Sequence, residues 1–205
     1  MKKATVLSLA FCAGFSIMCF ELIGGRLLRP FFGSSVYVWG SIITVFMLAL
    51  SIGYLSGGRL SLYKANLTKY SFIFIFSAIT IIPTILFSEP VMDWVFGLTE
   101  DPRYGSLTAS AILFLIPTAI MGMIAPYSVR ILTESKDSSG QTAGFLYFVS
   151  TFGSAIGTIL TSFYLVLWLE INQVLWLTFA IMMIAGLIAL AVSYWEAKQI
   201  HPGEI

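Results

Sequence analysis

Charge is what this sequence has least of. Asp, Glu, Lys and Arg make up 10% of its 205 residues, where a water-soluble domain carries roughly a quarter. That is too little to wet a surface, so the solvent this chain is built for is a lipid bilayer. A net charge of +1 gives no basic face and argues against a nucleic-acid partner. Histidine occurs once, as His201 in the C-terminal tail, which excludes a His-centred catalytic or metal site. The two cysteines, Cys12 and Cys19, share one apolar segment. On a helix they lie ~10.5 Å apart, beyond the ~7 Å that a disulfide spans, and read as packing residues. Phosphate-loop, zinc-protease and dinucleotide-binding patterns are also missing. Enzyme activity, a metal and a cofactor are therefore not expected.

What the sequence does have is hydrophobic length: 58% of residues are apolar. At ~20 residues per crossing the chain divides into six segments: Ala4 to Gly25, Val36 to Gly57, Tyr70 to Ser88, Leu107 to Pro126, Thr142 to Leu169 and Ile171 to Trp195. The expected fold is an all-α, polytopic membrane protein with one transmembrane domain over 1–205. Its halves are about 1–106 and 107–205, joined by the polar loop Thr133 to Gln141. The first segment starts after Lys2 and Lys3 and outruns a signal peptide, so it reads as a retained helix. Val91 to Phe96, in the longest connection, reads as a short interfacial helix.

Lys and Arg divide unevenly between the two sides. With the N-terminus inside, eight fall on the cytoplasmic side (Lys2, Lys3, Arg59, Lys64, Lys69, Arg130, Lys136, Lys198) and three outside (Arg26, Arg29, Arg103). The positive-inside rule then puts both termini in the cytoplasm. Tyr37, Trp39, Trp94, Tyr104 and Trp168 mark the outer headgroup layer, and Tyr63, Tyr70, Tyr194 and Trp195 the inner one. Asn66 opens an Asn-Leu-Thr glycosylation triplet, but on the cytoplasmic side of this map, where it is not expected to be used.

Small residues recur with a period. Gly53 and Gly57 in the second segment, and Gly153 and Gly157 in the fifth, are each four apart. They line one helix face and let another backbone come close. Each pair belongs to the second helix of a three-helix half, which suggests a 3+3 inverted repeat of the transporter kind. Gly24 and Gly25 in the first segment correspond loosely to Pro117, Gly122 and Pro126 in the fourth.

Glu21 is the one acid inside an apolar run, ~6 to 10 Å from its outer end by helical rise. Such a carboxylate needs a partner, water or a proton. Arg26 and Arg29 follow at five and eight residues, off the i+3 and i+4 spacing that brings side chains together. A break at Gly24-Gly25 would let Arg26 fold back; otherwise another helix supplies the partner. Two readings stand. In one, Glu21 faces a wet cavity and binds a cation, with Tyr37, Trp39 and Tyr147 as cation–π surfaces and Thr151 beside them. In the other, Glu21 and an arginine pin the helix at the outer interface.

With these residues in view, the sequence resembles the membrane domain of spermidine-synthase-like (aminopropyltransferase-like) proteins. The stretches that carry the likeness are ELIGGRLLRPFFGSSVYVW, GYLSGGRLS, PTAIMGMIAPYSVRIL and GQTAGFLYFVSTFGSAIGTILTSFYLV. The pattern matches Glu21 with Arg26 or Arg29, the turn Phe32 to Ser35, the element Gly57 to Leu60, the set Pro117, Gly122 and Pro126, and Thr151 with Gly153 and Gly157. Ser61 and Leu62 stand where that family often has an acid, and the family's soluble catalytic domain has no counterpart here. The resemblance implies a six-helix unit like half of a major facilitator transporter, a homodimer enclosing a path, and a polyamine-like amine as solute. Its alternative is a non-catalytic membrane subunit that docks a separate soluble synthase-like enzyme.

Overall fold

Short polar punctuation divides the chain into helices. Gly33 ends the first: its φ of +77° is left-handed, and its N–H returns to the Arg29 carbonyl at 2.9 Å, a turn glycine makes without a Cβ penalty. Asn66 starts the third, its side-chain oxygen accepting the Lys69 N–H at 2.8 Å, so the triplet asparagine serves as an N-cap. Asp101 accepts the Arg103 N–H at 2.9 Å, and Pro102 follows at the first helical position, where a missing N–H costs nothing.

The structure is a computed structural model and describes residues 2–133 and 139–200. Nearly all of those residues are helical, with no strand among them. The elements are α1 (Lys2–Phe32), α2 (Val36–Ser61), α3 (Leu67–Leu98), α4 (Pro102–Gly122), α5 (Ile124–Leu132), α6 (Ser139–Leu160), a π turn (Thr161–Leu165), α7 (Val166–Trp168) and α8 (Ile171–Ile200). They make six spans long and apolar enough to cross a membrane, α4 with α5 forming the fourth and α6 to α7 the fifth. The chain is a multi-pass membrane protein.

The helices outrun the apolar segments. α1 has 31 residues, or ~46 Å of rise against a ~30 Å hydrocarbon core. Counting apolar residues ends a segment at the first polar cluster, whereas backbone hydrogen bonding does not stop there. One alternative closes and one expectation changes in consequence. The helix does not break at Gly24-Gly25 but runs on to Phe32. Val91 to Phe96 is not a separate interfacial helix; it forms the last turns of α3, which passes through Pro83 and Pro90 to Leu98. Of the loop Thr133 to Gln141, residues 134–138 lie outside the described residues, as does His201, and α6 already begins at Ser139.

Proline in a helix removes a donor and leaves the carbonyl four residues back without one. At Pro117 another helix makes good the loss: Thr84 Oγ1 on α3 donates to the Leu113 carbonyl at 2.7 Å. At Pro126 the Gly122 carbonyl loses its donor, and the chain tightens there. The Met123 N–H bonds back to Ile120 at 3.1 Å, separating α4 from α5.

Three pairs carry most of the packing: α1 with α6, α2 with α4, and α3 with α8. Weaker seams join α3 to α4 and α1 to α8. Exchanging the first three spans with the last three interchanges α1–α6 with α2–α4 and α3–α4 with α1–α8, and leaves α3–α8 as it is. The glycines obey the same exchange. A Cβ on Gly53 or Gly57 would meet the carbonyl oxygens of Ala119 and Met123 at 2.2 and 2.5 Å. One on Gly153 or Gly157 would meet those of Phe11 and Phe15 at 2.3 and 2.6 Å. Helix association in a bilayer rests on such van der Waals fit, since lipid offers no hydrophobic drive. At the centre Phe20, Phe46 and Phe114 join α1, α2 and α4, with ring centroids 5.3 to 5.9 Å apart.

Candidate functional site

Where α1 and α4 approach each other, flanked by α2 and α6, they leave a cleft of about 160 Å³. Gly14 and Gly122 line its floor, and Tyr54, Tyr147, Ser150 and Thr151 its sides. Gly14 lies near the middle of α1, residues 2–32, and Tyr147 to Ser154 near the middle of the fifth span, residues 139–168. On the other two spans the lining lies past the middle, at Leu50 and Tyr54 of residues 36–61 and at Met121 to Ala125 of residues 102–132. The cleft therefore lies within the spans, set toward the end of the bundle that holds the start of α1. An apolar cavity of ~150 Å³ stays dry and takes a benzene-sized guest, but this one has hydroxyls and an interrupted helix in its wall.

The local sequence explains the shape. Gly14 is needed because a Cβ there would lie 2.1 Å from the Ser150 carbonyl oxygen. That approach lets Ser154 Oγ donate to the Gly14 carbonyl at 3.1 Å and to its own Ser150 carbonyl at 3.2 Å, stitching α6 to α1 beside the cleft. On the other side, Gly122 and Ala125 bracket the break at Met123. The Gly122 carbonyl, deprived of its donor by Pro126, belongs to a cleft-lining residue. Tyr54 and Tyr147 line the cleft from α2 and α6 respectively. The site thus offers two phenols, several hydroxyls and one freed carbonyl in an apolar frame.

Of the residues singled out from sequence, Tyr147 and Thr151 line the cleft together. Glu21 does not. It is half-buried and stands three residues beyond Met18, which does line the cleft. Gly14, Ile17, Met18 and Glu21 fall on one face of α1 by helical spacing, so the carboxylate lies about one turn beyond the cleft, toward the C-terminal end of α1, on the stripe that faces it. Among the described residues no hydrogen bond or ion pair reaches Glu21; the ion pair there is Arg103 with Asp101 at 3.4 Å.

The arginines act elsewhere. Arg26 Nη1 donates to the Val166 carbonyl at 2.9 Å, capping the end of the fifth span, where a cation also suits the negative end of the helix dipole. Arg29 is exposed. Tyr37 is also away from the cleft, its ring lying 5.5 Å from the Arg103 guanidinium. Trp39 presses on α1, its ring 2.7 Å from where a Gly25 Cβ would be, while the Phe114 ring comes within 3.1 Å of the same place on Gly24. The glycine pair is there so that two aromatic rings can lie against the helix, not so that it can bend. Tyr70 is a further correction: instead of anchoring at a headgroup layer it is fully buried. It stacks on Tyr127 at 6.0 Å and shares a hydrogen bond of 2.7 Å with Ser128.

Sequence reasoning missed Tyr54, Ser150 and Ser154. Tyr54 follows Gly53 directly, and the four-residue glycine spacing drew attention to packing instead. Cys12 and Cys19 are both free thiols, and no group of three His, Cys, Asp or Glu that could hold a metal occurs among the described residues. Comparison of the chain with protein-family models, with curated proteins and with solved structures gives no match.

Proposed function

We propose that the chain is a transporter subunit. It moves a small amine-bearing organic solute, polyamine-like in character, across an inner (plasma) membrane of the bacterial type, as a homodimer with both termini cytoplasmic. The observation that carries this reading is the cleft within the spans where α1, α4, α2 and α6 cross, beside an interrupted helix. Transporters built from inverted repeats place their substrates at the repeat interface near the bilayer midplane, against discontinuous helices. The exchange of pairings between the first and last three spans supports a 3+3 repeat with the cleft on its axis. Tyr54 and Tyr147 give π faces for a cation, and Glu21 gives the one nearby charge, at the mouth.

Exposure supports a homodimer. The cleft opens between α2 and α6, whose Met47, Leu48, Phe148 and Phe152 are exposed. Its hydroxyls and freed carbonyl would otherwise face hydrocarbon, where unsatisfied polar groups are costly. The resemblance to the membrane domain of spermidine-synthase-like proteins supports an amine as the solute.

Uptake of labelled spermidine into proteoliposomes tests the proposal. Flux above that of empty vesicles is expected, with Tyr147→Ala and Glu21→Gln each lowering it about tenfold or more. Flux unchanged in both variants removes the cleft as the path. No flux, with a soluble synthase-like protein co-purifying, replaces transport with the docking reading.

A further inference from the structure

On the opposite side of the bundle from the cleft, α3 and α8 enclose a second cavity, of about 310 Å³, lined by Leu86, Ser88, Glu89, Pro90, Asn172 and Trp176. It combines features with no use in the packing. Glu89 is exposed, and no hydrogen bond or ion pair reaches it among the described residues. Of the cations at the same end of the bundle, Arg103 is engaged with Asp101 and Tyr37 and Arg26 with Val166, while Arg29 is exposed. Pro90 brings no N–H to the Leu86 carbonyl, so a cavity-lining residue carries a freed acceptor. Asn172 adds an amide without a hydrogen-bond partner among the described residues, and Trp176 an indole face held edge-on by Phe179 at 5.3 Å between centroids.

We propose that this cavity binds the primary ammonium headgroup of a membrane amphiphile. An ammonium has three N–H donors, and the Glu89 carboxylate, the Leu86 carbonyl and the Asn172 amide oxygen supply three acceptors. The Trp176 ring adds cation–π attraction, strongest for indole. The amide N–H groups of Asn172 and the indole N–H of Trp176 remain free for the phosphate that such a headgroup also bears. An amphiphile is favoured over a free amine by position. Glu89 directly follows the apolar run that ends at Ser88, at the edge of the hydrocarbon. Below it the α3–α8 seam is flanked by exposed Phe76, Ile79, Phe87 and Ile184, a surface made for acyl chains.

Native mass spectrometry of the detergent-solubilised protein, titrated with single lipids, tests this. Phosphatidylethanolamine should bind at least roughly tenfold more tightly than phosphatidylglycerol, and more tightly than phosphatidylcholine, whose quaternary ammonium has no N–H to donate. Glu89→Gln should erase the preference while Glu100→Gln, at the same end but outside the cavity, keeps it. Asn172→Ala provides a second variant should Glu89→Gln unfold. Equal binding of the three lipids, or an undiminished preference in both cavity variants, overturns the proposal. Displacement of the lipid by ethanolamine at matching concentration would overturn the amphiphile as source, since a free amine would then suffice.

Discussion

Gly53 lies so close to the Ala119 carbonyl oxygen that a Cβ on it would stand 2.2 Å away. Gly153 has the same relation to Phe11, at 2.3 Å. In both cases the obstacle is backbone, which cannot rotate aside as a side chain can. Close approach of α2 to α4 and of α6 to α1 therefore depends on two hydrogen atoms.

Gly53→Ala and Gly153→Ala should each destabilise by about 1–3 kcal/mol, the usual cost of overpacking a tight interior. Gly58 and Gly144, also helical, have nothing within 4 Å of a Cβ. Alanine there should stabilise by ~0.5–1 kcal/mol through helix propensity alone. Thermal unfolding in detergent distinguishes the two groups by sign. Equal effects at all four positions would mean that propensity, not contact, controls these glycines.

Thr84 and Pro117 form a compensated pair, and a double-mutant cycle can expose it. Thr84→Val strands the Leu113 carbonyl in the interior and should cost ~1–3 kcal/mol. In a Pro117→Ala background the new N–H takes over that carbonyl, and the same Thr84→Val change should cost well under half as much. Additive effects, read from unfolding midpoints, would show that the 2.7 Å hydrogen bond contributes little.

Water access separates a polar cleft from a lipid-filled crevice. In a background with Cys12→Ser and Cys19→Ala, Thr151→Cys in the cleft wall should react with a charged, water-soluble thiol reagent in proteoliposomes. Ala155→Cys, exposed on the same helix but outside the cleft lining, should react at least tenfold more slowly, because thiolate forms only where water reaches. Equal rates would argue that the cleft holds hydrocarbon.

Much of the architecture was legible in the sequence because bilayer physics is one-dimensional: apolar length gives the spans, and a four-residue period of glycine gives the close faces. Gly53, Gly57, Gly153 and Gly157 were identifiable for that reason. Gly24 and Gly25 were misjudged because their purpose resides in Phe114 and Trp39, ninety and fourteen residues away. No local pattern carries that information. The candidate site was half legible. Tyr147 and Thr151 sit one helical turn apart and declare a face, whereas Tyr54 meets them only through tertiary packing of α2 against α4. Arg26 looked like a partner for Glu21 by proximity along the chain, yet the acceptor it finds is a main-chain carbonyl from 140 residues away.

The π turn at Thr161–Leu165 bears on that last contact. A π turn holds one residue more than the α-helix it interrupts, and one residue is about 100° of rotation. Everything after it in the fifth span, Val166 included, is therefore out of phase with α6. Deleting a single residue there would leave the span long enough to cross the bilayer but would swing the Val166 carbonyl away from Arg26. The same deletion would point Trp168 in a new direction. Angular phase, rather than length, is thus what this part of the chain cannot give up, and a one-residue change invisible to any hydropathy count would undo the tie between the first and fifth spans.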